Sequence, residues 1–197
     1  MKLTVTILIF DDVEVMDFTG PFEVFSVTNE LHDDALFDLQ IVAKNQTPVI
    51  AKGGLSINPD QGIEEVSQSD ILIIPGGSGT RKVIQDDALV EWVKRIGEAT
   101  DHTLSICTGS HVLAKAGILA GLKATTHHQT FERLEALAPL AEVLRDVRFV
   151  DNGRVLTSAG ISAGIDMSLH VIEKLFGRIV RDATASYMEY PPTTPLD

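Results

Sequence analysis

The stretch Thr103-Leu104-Ser105-Ile106-Cys107-Thr108-Gly109-Ser110 passes from a short β-rich run into small polar residues, and apolar Val112, Leu113 and Ala116 follow it. That is the pattern of a strand, a tight turn and a helix, with Cys107 at the turn. A nucleophile placed there is held on a strained elbow with a helix N-terminus just behind it. The helix dipole and its unpaired N–H groups favour thiolate, so a lowered thiol pKa is expected. The competing reading is an inert buried cysteine acting as a small hydrophobe. Small, polar Thr108, Gly109 and Ser110 beside the thiol favour the reactive one.

Outward from this turn, other short β-branched runs alternate with helical patterns. Leu3 to Phe10, Phe37 to Ala43 and Ile71 to Ile74 read as strands beside Thr103 to Ile106. Asp87 to Ala99 reads as a helix, because Leu89, Val90, Val93 and Ile96 recur at helical spacing. A second helix starts near Ile165, places Leu169, Ile172 and Leu175 on one stripe, and stops at Gly177. This alternation predicts an α/β fold: a mostly parallel central sheet with helices on both faces. Ligands bind such sheets at the carboxyl ends of strands.

Two more strand ends carry polar chemistry. After Leu3 to Phe10, Asp17-Phe18-Thr19-Gly20-Pro21 opens a helical segment, with Asp17 between Met16 and Phe18. Asp17 reads either as a carboxylate capping that helix or as a general acid/base tuned by partial burial. After Ile71 to Ile74 comes Pro75-Gly76-Gly77-Ser78-Gly79-Thr80, which reads as a plain turn or as an anion cradle of backbone N–H groups. It is not a dinucleotide fingerprint: counted from Gly77, the third glycine would fall at Lys82.

His127 and His128 follow Ala124-Thr125-Thr126, and His111 lies four residues after Cys107. A metal is not expected, since neither H-E-x-x-H nor C-x-x-C occurs. His111 and His128 read as surface or helix-face histidines, and His127 as the better neighbour for the thiol.

At 197 residues with 44% hydrophobic and 22% charged residues, the chain has the composition of a globular domain. We expect one domain over residues 1–190 and a loose tail over 191–197, which contains Pro191-Pro192-Thr193-Thr194-Pro195. Sixteen Lys and Arg against 28 Asp and Glu give a net charge of -12, which repels nucleic acid and anionic lipid alike. No apolar run approaches the roughly 20 residues of a membrane span. A single cysteine forms no intrachain disulfide, and the first apolar stretch runs straight into Asp11 and Asp12, unlike a signal peptide. A cytoplasmic protein is expected.

Ile74-Pro75-Gly76-Gly77, Ser105-Ile106-Cys107-Thr108-Gly109-Ser110 and Ala124-Thr125-Thr126-His127 together resemble the ThiJ/PfpI branch of the class I glutamine amidotransferase-like superfamily. Asp17-Phe18-Thr19-Gly20-Pro21 and Gly160-Ile161-Ser162-Ala163-Gly164-Ile165-Asp166 look most like the isonitrile hydratases of that branch, and similar segments form the ligand domain of some AraC-type regulators. The resemblance implies a flavodoxin-like sandwich, Cys107 as nucleophile, Asp17 as the neighbouring carboxylate and Thr108 as a polar helper beside the thiol. It also implies an anion-stabilising pair of N–H groups at Gly77 and Thr108, with Gly76 in the same cradle, and His127 near the thiol. A homodimer acting on a small molecule without a cofactor is implied as well.

Two departures from the hydratase pattern stand out. The chain stops at Asp197, and His111 occupies a position on the elbow helix where an apolar residue is more typical. A thiol-based redox or small-molecule sensor is the alternative, followed by glyoxalase, amidase or peptidase chemistry.

Overall fold

The computed structural model describes residues 2–32 and 35–190. In chain order the elements are β1 (Leu3–Leu8), α1 (Val15–Glu30), β2 (Phe37–Ala43), β3 (Val49–Ile50), β4 (Ser56–Ile57), β5 (Gln61–Gly62), β6 (Ile71–Ile74), α2 (Thr80–Val83) and α3 (Asp87–Ala99). There follow β7 (His102–Ile106), α4 (Gly109–Lys115), β8 (Lys123–Ala124), α5 (Phe131–Leu137), β9 (Glu142–Val143), β10 (Phe149–Asp151), β11 (Val155–Ser158), α6 (Ala163–Phe176) and α7 (Arg178–Tyr187).

The runs that carry the fold are apolar because the sheet is buried on both faces. Ile71, Leu72, Ile73 and Ile74 on β6 and Leu104 and Ile106 on β7 are almost wholly buried, as are Val5, Ile7 and Leu8 on β1. Each such side chain contributes about 1.5–3 kcal/mol on leaving water. The sheet has seven strands in the order β10-β11-β7-β6-β1-β2-β5. All its pairings are parallel except β10 with β11. The expected α/β architecture is therefore found, with α1, α6 and α7 packed together as one helical layer and α3, α4 and α5 as the other.

α3 forms where its stripe predicted: Leu89, Val93 and Ile96 are buried with Trp92, and the Asp86 side chain caps it by accepting from the Leu89 N–H. α6 begins two residues ahead of the expected Ile165 and stops at Gly177, whose φ of 86° suits glycine. β1 ends at Leu8 rather than Phe10, and β7 starts one residue early. The expected tail at 191–197 lies outside the described residues.

Strand order reverses beside β1: the chain leaves β1 for β2 on one side and returns to β6 on the other. The carboxyl ends of β1, β6 and β7 thus meet at the switch point, where such sheets place their sites.

Candidate active site

Cys107 follows β7 directly and has φ of 55°, a left-handed conformation that costs a non-glycine residue about 1–3 kcal/mol. Its main chain is pinned on both sides. The Cys107 N–H donates to the Ser158 and Ala159 carbonyls at the end of β11, and the Cys107 carbonyl accepts from the Ser110 and Thr126 hydroxyls at 3.1 and 3.0 Å. Gly109 lets α4 start close behind: a Cβ there would come within 2.0 Å of the Ile74 carbonyl oxygen.

Asp17 lies in the first turn of α1, fully buried. Its Oδ2 accepts from the Gly76 N–H at 3.0 Å, and the Gly76 carbonyl accepts from the Glu14 N–H at 2.9 Å. The carboxylate therefore holds the loop after β6 instead of capping its own helix. Its Oδ1 has no hydrogen-bond partner among the described residues. Gly76 allows this closeness, since a Cβ on it would stand 2.7 Å from Asp17 Oδ2 and 2.6 Å from the Thr108 N.

Thr108 and Gly77 are locked to each other. The Gly77 N–H donates to Thr108 Oγ1 at 2.9 Å, and that hydroxyl donates to the Gly77 carbonyl at 3.1 Å. The hydroxyl expected beside the thiol is engaged with the neighbouring loop, and the Gly77 N–H expected to meet substrate charge is already taken. The backbone N–H groups of Thr108 and Ile161 favour the thiolate, against the larger effect of burial. Ile161, in the segment after β11, has φ of 52°, a left-handed conformation. That segment is anchored by Asp166, buried on α6, which accepts from Arg148 and from the Tyr190 hydroxyl at 3.0 Å.

Burial dominates the electrostatics. It pushes the Asp17 carboxyl from 3.8 to about 7, over the opposing pull of the Gly76 N–H. Burial, with the Asp17 charge adding to it, pushes the Cys107 thiol up to about 12. The lowered thiol pKa expected from the turn is thus overturned: α4 spans only Gly109–Lys115, and its N-terminal N–H groups lose to desolvation. Above about pH 7 the two groups hold one proton between them. Shifting it from sulfur to carboxyl makes a thiolate while removing the negative charge that opposed it.

Cys107 and Thr108 open into a cleft of about 570 Å³ whose walls include Glu14, Lys52, His111 and His127. His127 packs against Gly160 and stacks on His128 at 4.3 Å, and burial holds its pKa below the ordinary value. His111 is no surface residue: it is 2% exposed, burial and nearby Arg133 lower its pKa to about 4, and its Nε2 has no partner. Among the described residues no three His, Cys, Asp or Glu side chains gather as metal ligands.

Residues 3–174 match the DJ-1/PfpI family. The chain belongs to the DJ-1/PfpI family. Within and around the family, it is 32% identical to the isonitrile hydratase of Pseudomonas putida over 199 aligned positions, which cover all of this chain and 82% of that protein. It is 31% identical to the HTH-type transcriptional regulator CdhR of Pseudomonas aeruginosa over 86% of this chain and 50% of the regulator, so it spans about half that relative's length. A ThiJ/PfpI family protein from Pseudomonas syringae superposes with a TM-score of 0.88 at 27% identity, covering 100% of this chain and 78% of the other. Drosophila melanogaster DJ-1beta, at 18% identity and a TM-score of 0.85 over 97% of this chain and all of its own, shares the fold.

The DJ-1/PfpI fold brings Asp17, Gly76, Gly77, Cys107 and Thr108 to one point, and His127 onto a wall of the same cleft. Sequence reasoning missed the Glu14–Lys52 ion pair at 2.9 Å on that wall. It also missed the Ile161 N–H, although the Gly160 to Asp166 segment had been singled out.

Proposed function

We propose that this chain is a cysteine-dependent isonitrile hydratase. The observation that carries the reading is the buried Asp17–Cys107 pair, which shares one proton above about pH 7. Likeness over the whole chain to the Pseudomonas putida enzyme supports it.

In this reading Asp17 holds the shared proton while the Cys107 thiolate adds to the terminal carbon of R–N≡C. Asp17 delivers that proton to the same carbon, which gives the thioimidate R–N=CH–S–Cys107. The Asp17 carboxylate then takes a proton from water as the hydroxyl adds to the carbon. Asp17 passes that proton to the nitrogen, giving R–NH–CH(OH)–S–Cys107; the adduct collapses, the C–S bond breaks, the hydroxyl proton passes to the sulfur, and R–NH–CHO leaves as the thiol reforms. The Thr108 and Ile161 N–H groups stabilise the sulfur's charge. Thr108 Oγ1 positions the Gly77 loop, Gly76 orients Asp17, and His127 forms part of the substrate wall.

A low-pKa redox sensor is less well supported, since such thiols are acidic and accessible whereas Cys107 is neither. We also propose one domain over residues 1–190, a cytoplasmic location and a homodimer. Exposed Met16, Ile50, Leu55 and Ile161 support the dimer: they lie on segments that border the cleft mouth. No described helix is long and apolar enough to cross a membrane.

The test is formamide formation from cyclohexyl isocyanide by wild type and Cys107→Ala in parallel. The expected result is turnover by wild type and none by the variant. Turnover that survives loss of the thiol removes the mechanism, and a wild type without turnover leaves ligand sensing as the function of the cleft.

A further inference from the structure

The walls of the Cys107 cleft are unusually rich in charge for a pocket that would receive a bare hydrocarbon isonitrile. Glu14, Lys52, Arg81, Glu132 and Arg133 all line it. Its two lining carboxylates already have cations, Glu14 with Lys52 at 2.9 Å and Glu132 with Arg145 at 3.5 Å. Among the described residues neither Arg81 nor Arg133 has a carboxylate within 4.0 Å, although other basic side chains do.

Eight of the 16 Lys and Arg side chains make no ion pair among the described residues, exposed Arg81 and half-buried Arg133 among them. Two of them face one cleft, on α2 and α5, and both helices pack against α4 behind the thiol. Arg133 is half-buried and acts on the buried ring of His111, whose Nε2 is also without a partner. A partly desolvated guanidinium with no counterion is costly in isolation and is satisfied by an oxyanion that its planar fork can grip.

We propose that the substrate of this site is an isonitrile whose substituent carries an oxyanion, a carboxylate or phosphonate, held by Arg81 and Arg133 while the isonitrile carbon faces Cys107. This rests on the hydratase reading above and adds the class of R group. The arginines also offset the repulsion such a substituent would meet from the Asp17–Cys107 charge.

The test compares kcat/KM for isocyanoacetate, isocyanomethylphosphonate and ethyl isocyanoacetate in wild type, Arg133→Gln and Arg133→Lys. One charge-assisted hydrogen bond corresponds to roughly ten- to a hundredfold. Wild type is therefore expected to prefer at least one anion over the ester by about tenfold or more, and the preferred anion identifies the headgroup. Arg133→Gln should lower that preference by a similar factor, and Arg133→Lys should restore part of it. If wild type hydrates the ester as well as either anion, the proposal is overturned while the hydratase reading stands.

If no isonitrile is hydrated, that reading falls, and the anion preference is read separately from alkylation of Cys107, the chain's one cysteine. A ratio of iodoacetate to iodoacetamide rates above that of glutathione, and lowered in Arg133→Gln, keeps the preference for anions. A ratio at or below that of glutathione removes it.

Discussion

Asp17 is the residue on which the proposed chemistry and the pH dependence of stability both turn. Because burial lifts its folded-state pKa from 3.8 to about 7, the folded protein holds a proton there that the unfolded chain has already released. The contribution of this group is therefore fully present below about pH 4 and is lost as pH rises through about 7, the reverse of an ion-paired aspartate. At about 1.4 kcal/mol per pH unit this amounts to about 4 kcal/mol. Asp17→Asn, which carries no charge to bury, should flatten the stability curve between pH 4 and 8 and gain on wild type toward pH 8 in denaturant titrations. A variant whose slope parallels that of wild type would show that Asp17 does not titrate in this range. The sequence displayed this carboxylate and its apolar neighbours, but not which backbone it serves. The Gly76 N–H comes from 59 residues away, and no local pattern predicts it.

The elements that frame the site are short and tightly coupled, and the turn joining β6 to α2 is the tightest. Gly76→Ala would drive a Cβ to 2.7 Å from Asp17 Oδ2 and 2.8 Å from Thr108 Oγ1, so the loop has to part from both. A displacement of that kind costs about a hundredfold in rate and about 1–3 kcal/mol in stability. Isonitrile kinetics beside a chemical melt measure both, and wild-type kcat/KM in this variant would refute the packing. β2, β6 and α3 were legible residue for residue: β6 is a continuous apolar run buried on both faces, β2 is mostly apolar around Asp38 and Gln40, and α3 is strongly amphipathic. β3, β4, β5, β8 and β9, at two residues each, carry no periodicity to read. The antiparallel edge formed by β10 and β11, three and four residues long, escaped because Asp151, Thr157 and Ser158 interrupt its apolar residues. Ile161 was illegible for a different one: its part is played by a main-chain N–H, which any residue but proline supplies.

On the scale of the whole molecule, the site draws on residues 14–17, 76–77, 107–108 and 161, so it exists only when β1, β6, β7 and β11 are all in register. The proposed dimer would add a second copy across the mouth of this assembly. Sedimentation velocity should give twice 21.4 kDa, and a species that remains at that single mass through the micromolar range would rule the dimer out. The chain's one cysteine stands at the centre of the sheet's carboxyl edge, 6% exposed and held protonated. In the unfolded chain the same thiol is open to solvent and reacts as an ordinary one. Pulses of a thiol reagent too brief for the slower reaction of the folded thiol would therefore count unfolded molecules along a denaturant series, with no dye or tag introduced. The arrangement proposed for catalysis thus equips the protein with its own gauge of folding.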